Sequence, residues 1–65
     1  MILSDTIKIK YKLNTIGMNS IEVASKLKDK GIRGFTMEVD PSYVIVAVPR
    51  KDIKWNRKIM DNKEI

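Results

Sequence analysis

The pattern of apolar and polar positions along the chain is dominated by one uninterrupted apolar run, residues 43–48, which ends at Pro49. Its length and its β-branched side chains are typical of a strand, and the lack of alternation predicts that both of its faces are covered. Such a strand is usually central in its sheet. We therefore expect neighbouring strands on both sides of 43–48.

Residues 6–13 alternate strictly between apolar and polar side chains, which predicts a half-buried strand. The predicted inner face carries Ile7, Ile9, Tyr11 and Leu13, and the predicted outer face carries Lys8, Lys10 and Lys12. A row of lysines suits a strand at the edge of a sheet, because charge discourages pairing with foreign strands.

Residues 33–40 alternate as well. The pattern places Phe35, Met37 and Val39 inward and Thr36 and Glu38 outward. The sequence Asp40-Pro41-Ser42 that follows is typical of a turn, because proline fixes φ and the aspartate side chain bonds back to the backbone. The strands 33–40 and 43–48 are therefore predicted to form an antiparallel hairpin.

The segment 20–30 has the periodicity of an amphipathic helix. Its apolar arc contains Ile21, Val23, Ala24 and Leu27. Asn19 is the predicted N-cap and can form a capping box with Glu22. Gly31 suits the left-handed position that follows the last turn of a helix.

A second helix is predicted over 53–61, with Asp52 as its N-cap. Trp55 lies on the apolar arc of this helix, opposite the basic residues, so we interpret it as a core residue. A strand over 52–56 also fits the local alternation, and we favour the helix because the alternation breaks at Arg57. Residues 61–65 are expected to form a frayed tail.

These elements follow the order β-α-β-β-α, which predicts a single α+β domain over residues 1–65. Two parallel strands with the third strand between them give the sheet order 1-3-2, with both helices on one face. This arrangement is a ferredoxin-like fold lacking its last strand. It leaves the edge 7–13 free, and we expect a homodimer through this edge because so small a chain has a marginal core.

The composition limits the available chemistry. The chain contains neither Cys nor His, which excludes disulfides, ordinary zinc ligation and nucleophile–histidine catalysis. Glu38 and Asp40 would share one strand face, and with Asp5 nearby they could hold a divalent ion, but the pattern favours an exposed rim and a turn-capping aspartate. We expect a protein that is not an enzyme and that has no cofactor and no metal.

No long apolar segment is present, and the first residues do not have the pattern of a signal peptide. We therefore expect no membrane partner. The absence of Cys agrees with an expected cytoplasmic location.

The charge of the chain is unevenly distributed. The formal net charge is +5, and basic residues cluster after the apolar run. This cluster contains Arg50, Lys51, Lys54, Arg57 and Lys58. Such clusters are typical of proteins that bind nucleic acid, although a solvated helix face would have the same composition.

The predicted sheet offers a second candidate surface. If Val44, Val46 and Val48 face the helices, Tyr43 is displayed beside the lysines of the first strand. An aromatic ring on a basic sheet surface can stack on the bases of single-stranded nucleic acid. The alternative is that Tyr43 covers its own strand or packs in a dimer interface.

The succession of segments 7–13, 21–32, 34–40 and 43–48 resembles the pattern of the SPOR repeat module, a family that binds peptidoglycan. The resemblance implies a similar strand and helix topology. The Val-Gly-x-Phe type endings that this family favours are replaced here by Leu13-Asn14-Thr15 and Val48-Pro49-Arg50. We therefore interpret the resemblance as one of topology.

Two functions from different classes follow from these features. The first is a small non-enzymatic accessory protein that binds nucleic acid through the basic residues of its second helix and first strand. The second is a protein-binding inhibitor or regulator, of the kind that phages and mobile elements encode, which docks a helix or a sheet edge on a host factor that itself handles nucleic acid.

Overall fold

A computed structural model describes residues 5–60 and the backbone of Lys63–Glu64. Its elements are β1 (Thr6–Lys12), α1 (Ser20–Lys30), β2 (Phe35–Asp40), β3 (Tyr43–Pro49), a 3₁₀ turn (Arg50–Asp52), α2 (Ile53–Ile59) and β4 (Lys63–Glu64). The predicted order β-α-β-β-α is confirmed, and the segment after Asp52 is a helix as we favoured.

The strands form one sheet with the order β2-β3-β1-β4, in which all neighbours are antiparallel. The apolar strand β3 lies between β1 and β2, so the predicted order 1-3-2 is confirmed. The short β4 was not predicted, and it adds the strand that the ferredoxin-like arrangement was expected to lack. The two residues of β4 are both polar and show no alternation that would predict a strand. Backbone hydrogen bonds to a neighbouring strand form without such a pattern.

The position of β4 changes the expected edges of the sheet. Strand β4 pairs with Ile9 and Lys10 of β1, so the edge that we expected to be free is occupied there by the chain itself. A dimer formed through 7–13 would have to displace β4. Lys63 and Glu64 are therefore in a strand, whereas the rest of the expected frayed tail, residues 61, 62 and 65, lies outside the described residues.

The core lies between one face of the sheet and the two helices. Its buried members are Ile9, Tyr11, Val23, Leu27, Ile32, Val44, Val46 and Val48. Alternate residues of β3 therefore point toward the helices, as the sequence allowed. The other face of β3 is only partly covered, because Tyr43 and Ile45 are half-buried there.

Helix α1 begins and ends where the sequence predicts. The side chain of Asn19 accepts a hydrogen bond from the Glu22 backbone N–H at 2.8 Å, and the Asn19 N–H donates to Glu22 Oε1 at 3.2 Å. Gly31 adopts a φ of 91°, and its N–H donates to the last carbonyls of the helix. Ile21 was expected in the core but is 78% exposed, because it lies over the outer side of β2, the last strand on that side.

The loop between β1 and α1 is attached to the turn of the β2–β3 hairpin. The buried Thr15 hydroxyl donates to the Asp40 carbonyl at 2.5 Å, and the Thr15 N–H donates to the Pro41 carbonyl at 3.0 Å. This attachment places the beginning of α1 beside the end of β2. Helix α1 and strand β2 therefore run in opposite directions.

Helix α2 is held by a fully buried asparagine. The Asn56 amide Nδ2 donates to the Tyr11 hydroxyl at 3.1 Å and to the Arg33 carbonyl at 2.8 Å. Its Oδ1 accepts from the Arg33 N–H at 2.9 Å. Burial of this polar side chain is tolerated because both of its ends have partners.

Two expectations about α2 were wrong. Trp55 is 43% exposed and is not a core residue. Its indole N–H donates to the Gly31 carbonyl at 2.8 Å, and the Arg33 guanidinium lies 4.2 Å from its ring centroid, so the ring covers the end of α1 instead. Asp52 stands at the N-cap position but makes no capping hydrogen bond, because its carboxylate faces Arg33 at 3.4 Å.

Strand β2 contains a bulge that the sequence did not predict. The register passes from Glu38 opposite Ile45 to Thr36 opposite Val46, which leaves Met37 as the extra residue. Beyond the bulge, the side chains of β2 exchange faces. Phe35 therefore lies opposite Ala47 on the face without helices, which corrects the expectation that it faces the core.

Candidate nucleic-acid interface

The face of the sheet that the helices leave uncovered is called the open face here. The register places on it Lys8, Lys10 and Lys12 from β1, Tyr43, Ile45 and Ala47 from β3, and Phe35, Glu38 and Asp40 from β2. These residues oppose one another in pairs across the strands, and residues that are directly opposite share a face. The predicted display of Tyr43 beside the lysines is therefore what the register shows.

The three lysines form a straight row. All three are exposed, and they alternate with the buried Ile9 and Tyr11. Residues two apart on a strand are separated by roughly 6.6 Å, so the row extends over about 13 Å. The ammonium groups can therefore contact successive anionic groups of one extended ligand.

Tyr43 lies at one end of this row with its ring beneath a lysine. The Lys10 ammonium is 4.3 Å from the ring centroid, and Lys12 is directly opposite Tyr43 in the register. The negative charge of Asp40 raises the pKa of the Tyr43 hydroxyl, with smaller contributions from burial and from Glu38. The ring is thus located between a basic and an acidic strand.

Phe35 is a second aromatic side chain on the open face, and the sequence did not identify it. It is 59% exposed and lies opposite Ala47, four residues beyond Tyr43 along β3. The two aromatic residues are therefore about 13 Å apart along the strand direction. The strict alternation of β2 conceals the bulge, so the sequence contains no local signal for this position.

The open face has a basic half along β1 and an acidic half along β2. Glu38 and Asp40 lie on β2, on the far side of β3 from the lysines. Asp5 is not with them, because its backbone carbonyl is bonded to Arg50, beside the opposite ends of β1 and β3. In the described part of the chain, no group of three acidic side chains is placed to hold a metal ion.

The basic residues that follow β3 do not belong to the open face. Helix α2 packs on the core side of the sheet through Asn56, and its exposed side carries Lys54, Arg57 and Lys58. In the turn before it, Lys51 is exposed and the Arg50 guanidinium lies 3.7 Å from the Asp5 carboxylate. The predicted site therefore divides into two surfaces with the sheet between them, and a single flat contact cannot include both.

In comparisons with known proteins, no family model, no curated protein and no solved structure matched the chain. Among the described helices, none is long and apolar enough to cross a membrane. The functional interpretation consequently rests on the geometry and charge of the two surfaces.

Proposed function

We propose that this chain is a small non-enzymatic accessory protein that binds single-stranded nucleic acid on the open face of its sheet. The observation that carries the proposal is the row of three exposed lysines beside Tyr43, all on the one sheet face that has no helix over it. Phosphates would lie along β1, and bases would extend over β3 toward Phe35. The carboxylates of β2 restrict the phosphates to the β1 side.

The contact between Lys10 and Tyr43 does not prevent base stacking. An exposed cation–π contact contributes about 0.5–1 kcal/mol, whereas a base stacked on an aromatic ring contributes about 1–3 kcal/mol. A base can therefore displace the Lys10 ammonium from the ring. The released ammonium remains close enough to contact the phosphate of the same nucleotide.

The proposal is tested by titrating a fluorescent single-stranded oligonucleotide with the protein at several salt concentrations. Each phosphate that a lysine neutralises contributes about −0.7 to the slope of log K against log salt, so three lysines contribute about −2. The triple variant Lys8→Gln, Lys10→Gln, Lys12→Gln should lose that part of the slope and most of the affinity.

A matched control is available on the other side of the sheet. The triple variant Lys54→Gln, Arg57→Gln, Lys58→Gln removes the same charge from equally exposed positions of α2. We expect it to retain the slope and nearly all of the affinity. Equal losses of affinity in the two triple variants would show that the nucleic acid is attracted unspecifically to any positive charge. A loss of affinity confined to the α2 variant would show that the binding site is on the helix.

The aromatic contribution is tested separately. Tyr43→Leu and Phe35→Leu leave the charges unchanged, so they should weaken binding at every salt concentration without changing the slope. Each replaced ring should cost roughly fivefold to a hundredfold in affinity. An unchanged affinity in both variants would contradict the stacking arrangement.

A protein-binding regulator is the second candidate function, and one observation favours it. Large apolar side chains, among them Ile21 and Met37, are exposed along the outer side of β2. Exposed apolar clusters of this kind mark interaction surfaces. If the oligonucleotide titration detects no binding even at low salt, the nucleic-acid function is wrong and this second candidate remains.

A further inference from the structure

Two carboxylates border Tyr43 on the side of the open face that lies away from the lysines. In the register, Asp40 is directly opposite Tyr43, and Glu38 is opposite Ile45, the next residue of β3 on this face. The pKa of Tyr43 is raised first by the charge of Asp40, then by burial and by the charge of Glu38. Both carboxylates are therefore close enough to the ring to act on a ligand stacked there.

Glu38 is the more accessible of the two carboxylates. Its side chain is exposed, and among the residues that the structure describes it has no hydrogen-bond or ion-pair partner. Asp40 is half-buried beside the turn of the hairpin and has the shorter side chain. A ligand that extends across β3 from the lysines therefore meets the Glu38 carboxylate with its acceptor oxygens available.

The strand order determines which part of a bound nucleotide faces Glu38. With the phosphate on the lysines of β1, the sugar of a nucleotide stacked on Tyr43 lies on the β1 side. Its Watson–Crick edge, which is the edge far from the sugar, then points toward β2. Two strand spacings, about 10 Å, separate β1 from β2, and the distance from a phosphate to the outer edge of its base is of the same order.

A carboxylate distinguishes the bases by their donors. It presents two acceptor oxygens side by side and no donor. Guanine has two adjacent donors on its Watson–Crick edge, N1–H and the N2 amine, so it can form two parallel hydrogen bonds. Adenine and cytosine each place one donor beside an acceptor. Uracil and thymine place one donor between two carbonyl oxygens, which the carboxylate repels.

We propose that Glu38 contacts the Watson–Crick edge of the base stacked on Tyr43 and selects guanine at that position. This inference rests on the proposed function and names the base that the same site prefers. Bidentate contacts between a side chain and a base discriminate by roughly fivefold to a hundredfold. Because Glu38 is exposed, we expect a preference of about fivefold to tenfold.

The first test uses short fluorescent oligothymidylates that differ in one central base. The wild-type chain should bind the oligonucleotide with a central guanine more tightly than those with adenine, cytosine or thymine. A central inosine lacks the N2 amine of guanine but keeps N1–H. Inosine should therefore lose most of the preference, which shows that the second donor is recognised.

The second test changes the hydrogen-bonding pattern of the side chain. Glu38→Gln replaces one acceptor by a donor, which matches the edges of adenine and cytosine and no longer matches guanine. The variant should lose the guanine preference and bind adenine or cytosine at least as tightly as guanine. Asp40→Asn removes the same charge from the same strand and face, and it should keep the guanine preference.

The outcomes separate this inference from the proposed function. Equal affinity of the wild type for all central bases would overturn the inference and leave the proposed function standing. The inference is also wrong if Glu38→Gln raises every affinity equally and keeps the preference, since Glu38 would then act only by repelling phosphate. A preference lost in Asp40→Asn alone would overturn the assignment to Glu38. If no oligonucleotide binds at low salt, both proposals are wrong.

Discussion

The buried Asn56 should be the most sensitive polar position in the chain. Its side chain connects α2 to β1 through Tyr11, and to the loop before β2 through both backbone groups of Arg33. The substitution Asn56→Ala removes the amide and leaves these three partner groups inside the protein. No replacement donor or acceptor is contributed by alanine.

The magnitude follows from the number of stranded groups. A buried donor or acceptor left without a partner costs about 1–3 kcal/mol, and the Arg33 N–H and the Arg33 carbonyl both lose the Asn56 side chain. Allowing for partial relaxation and water entry at these two groups, we expect a loss of about 2–4 kcal/mol. Chains of this length have a total stability of roughly 3–10 kcal/mol, so this loss would remove a large share of the stability.

Urea denaturation followed by circular dichroism measures this loss. The exposed Asn14, whose side chain accepts one hydrogen bond from the Ile16 N–H, provides the control. Asn14→Ala should cost less than about 1 kcal/mol, because water can replace the lost bond. If Asn56→Ala is too unstable to measure, Tyr11→Phe removes one partner and should cost about 1 kcal/mol. A loss below about 1 kcal/mol in Asn56→Ala itself would refute the reasoning.

Two further predictions concern Gly34 and Tyr43. Gly34 has a φ of 131°, and a Cβ placed there would lie 2.6 Å from the Ala47 carbonyl oxygen. Gly34→Ala should therefore lower the urea midpoint by several tenths of the wild-type value or more. An unchanged midpoint would mean that the strand can shift to make room for the methyl group. The pKa of Tyr43 is raised mainly by Asp40, so the folded chain holds this proton to higher pH than the unfolded chain, and stability should fall as the pH rises above about 10. In an NMR titration, Asp40→Asn should return the Tyr43 pKa toward its ordinary value, and an unchanged value would contradict the charge assignment.

The elements with strong local patterns were predictable from the sequence. Helix α1 has an apolar arc and a signal at both ends, and its capping box was confirmed between Asn19 and Glu22. The strict alternation of β1 placed Tyr11 inward, and the apolar composition of β3 placed that strand in the centre. These features depend on interactions within a few residues, which is the range over which a sequence pattern carries information.

The features that were predicted wrongly depend on tertiary contacts. The bulge at Met37 follows from fitting β2 to β3, and with an unbroken register Phe35 would have faced the helices as expected. Trp55 shares an arc of the helical wheel with apolar residues, but its indole N–H donates a hydrogen bond to the Gly31 carbonyl at the end of α1, which keeps the ring out of the core. An arc on a helical wheel gives a direction and does not say which neighbour fills the space in that direction.

The candidate site was predicted in parts and not as a whole. The lysines of β1 and Tyr43 were placed on one face on the condition that the valines of β3 face the helices, and that condition is met. The basic residues of α2 were assigned to the same site because the sequence shows only that positive charges are frequent in both segments. A sequence shows how charges are spaced but not which side of a sheet the next helix covers.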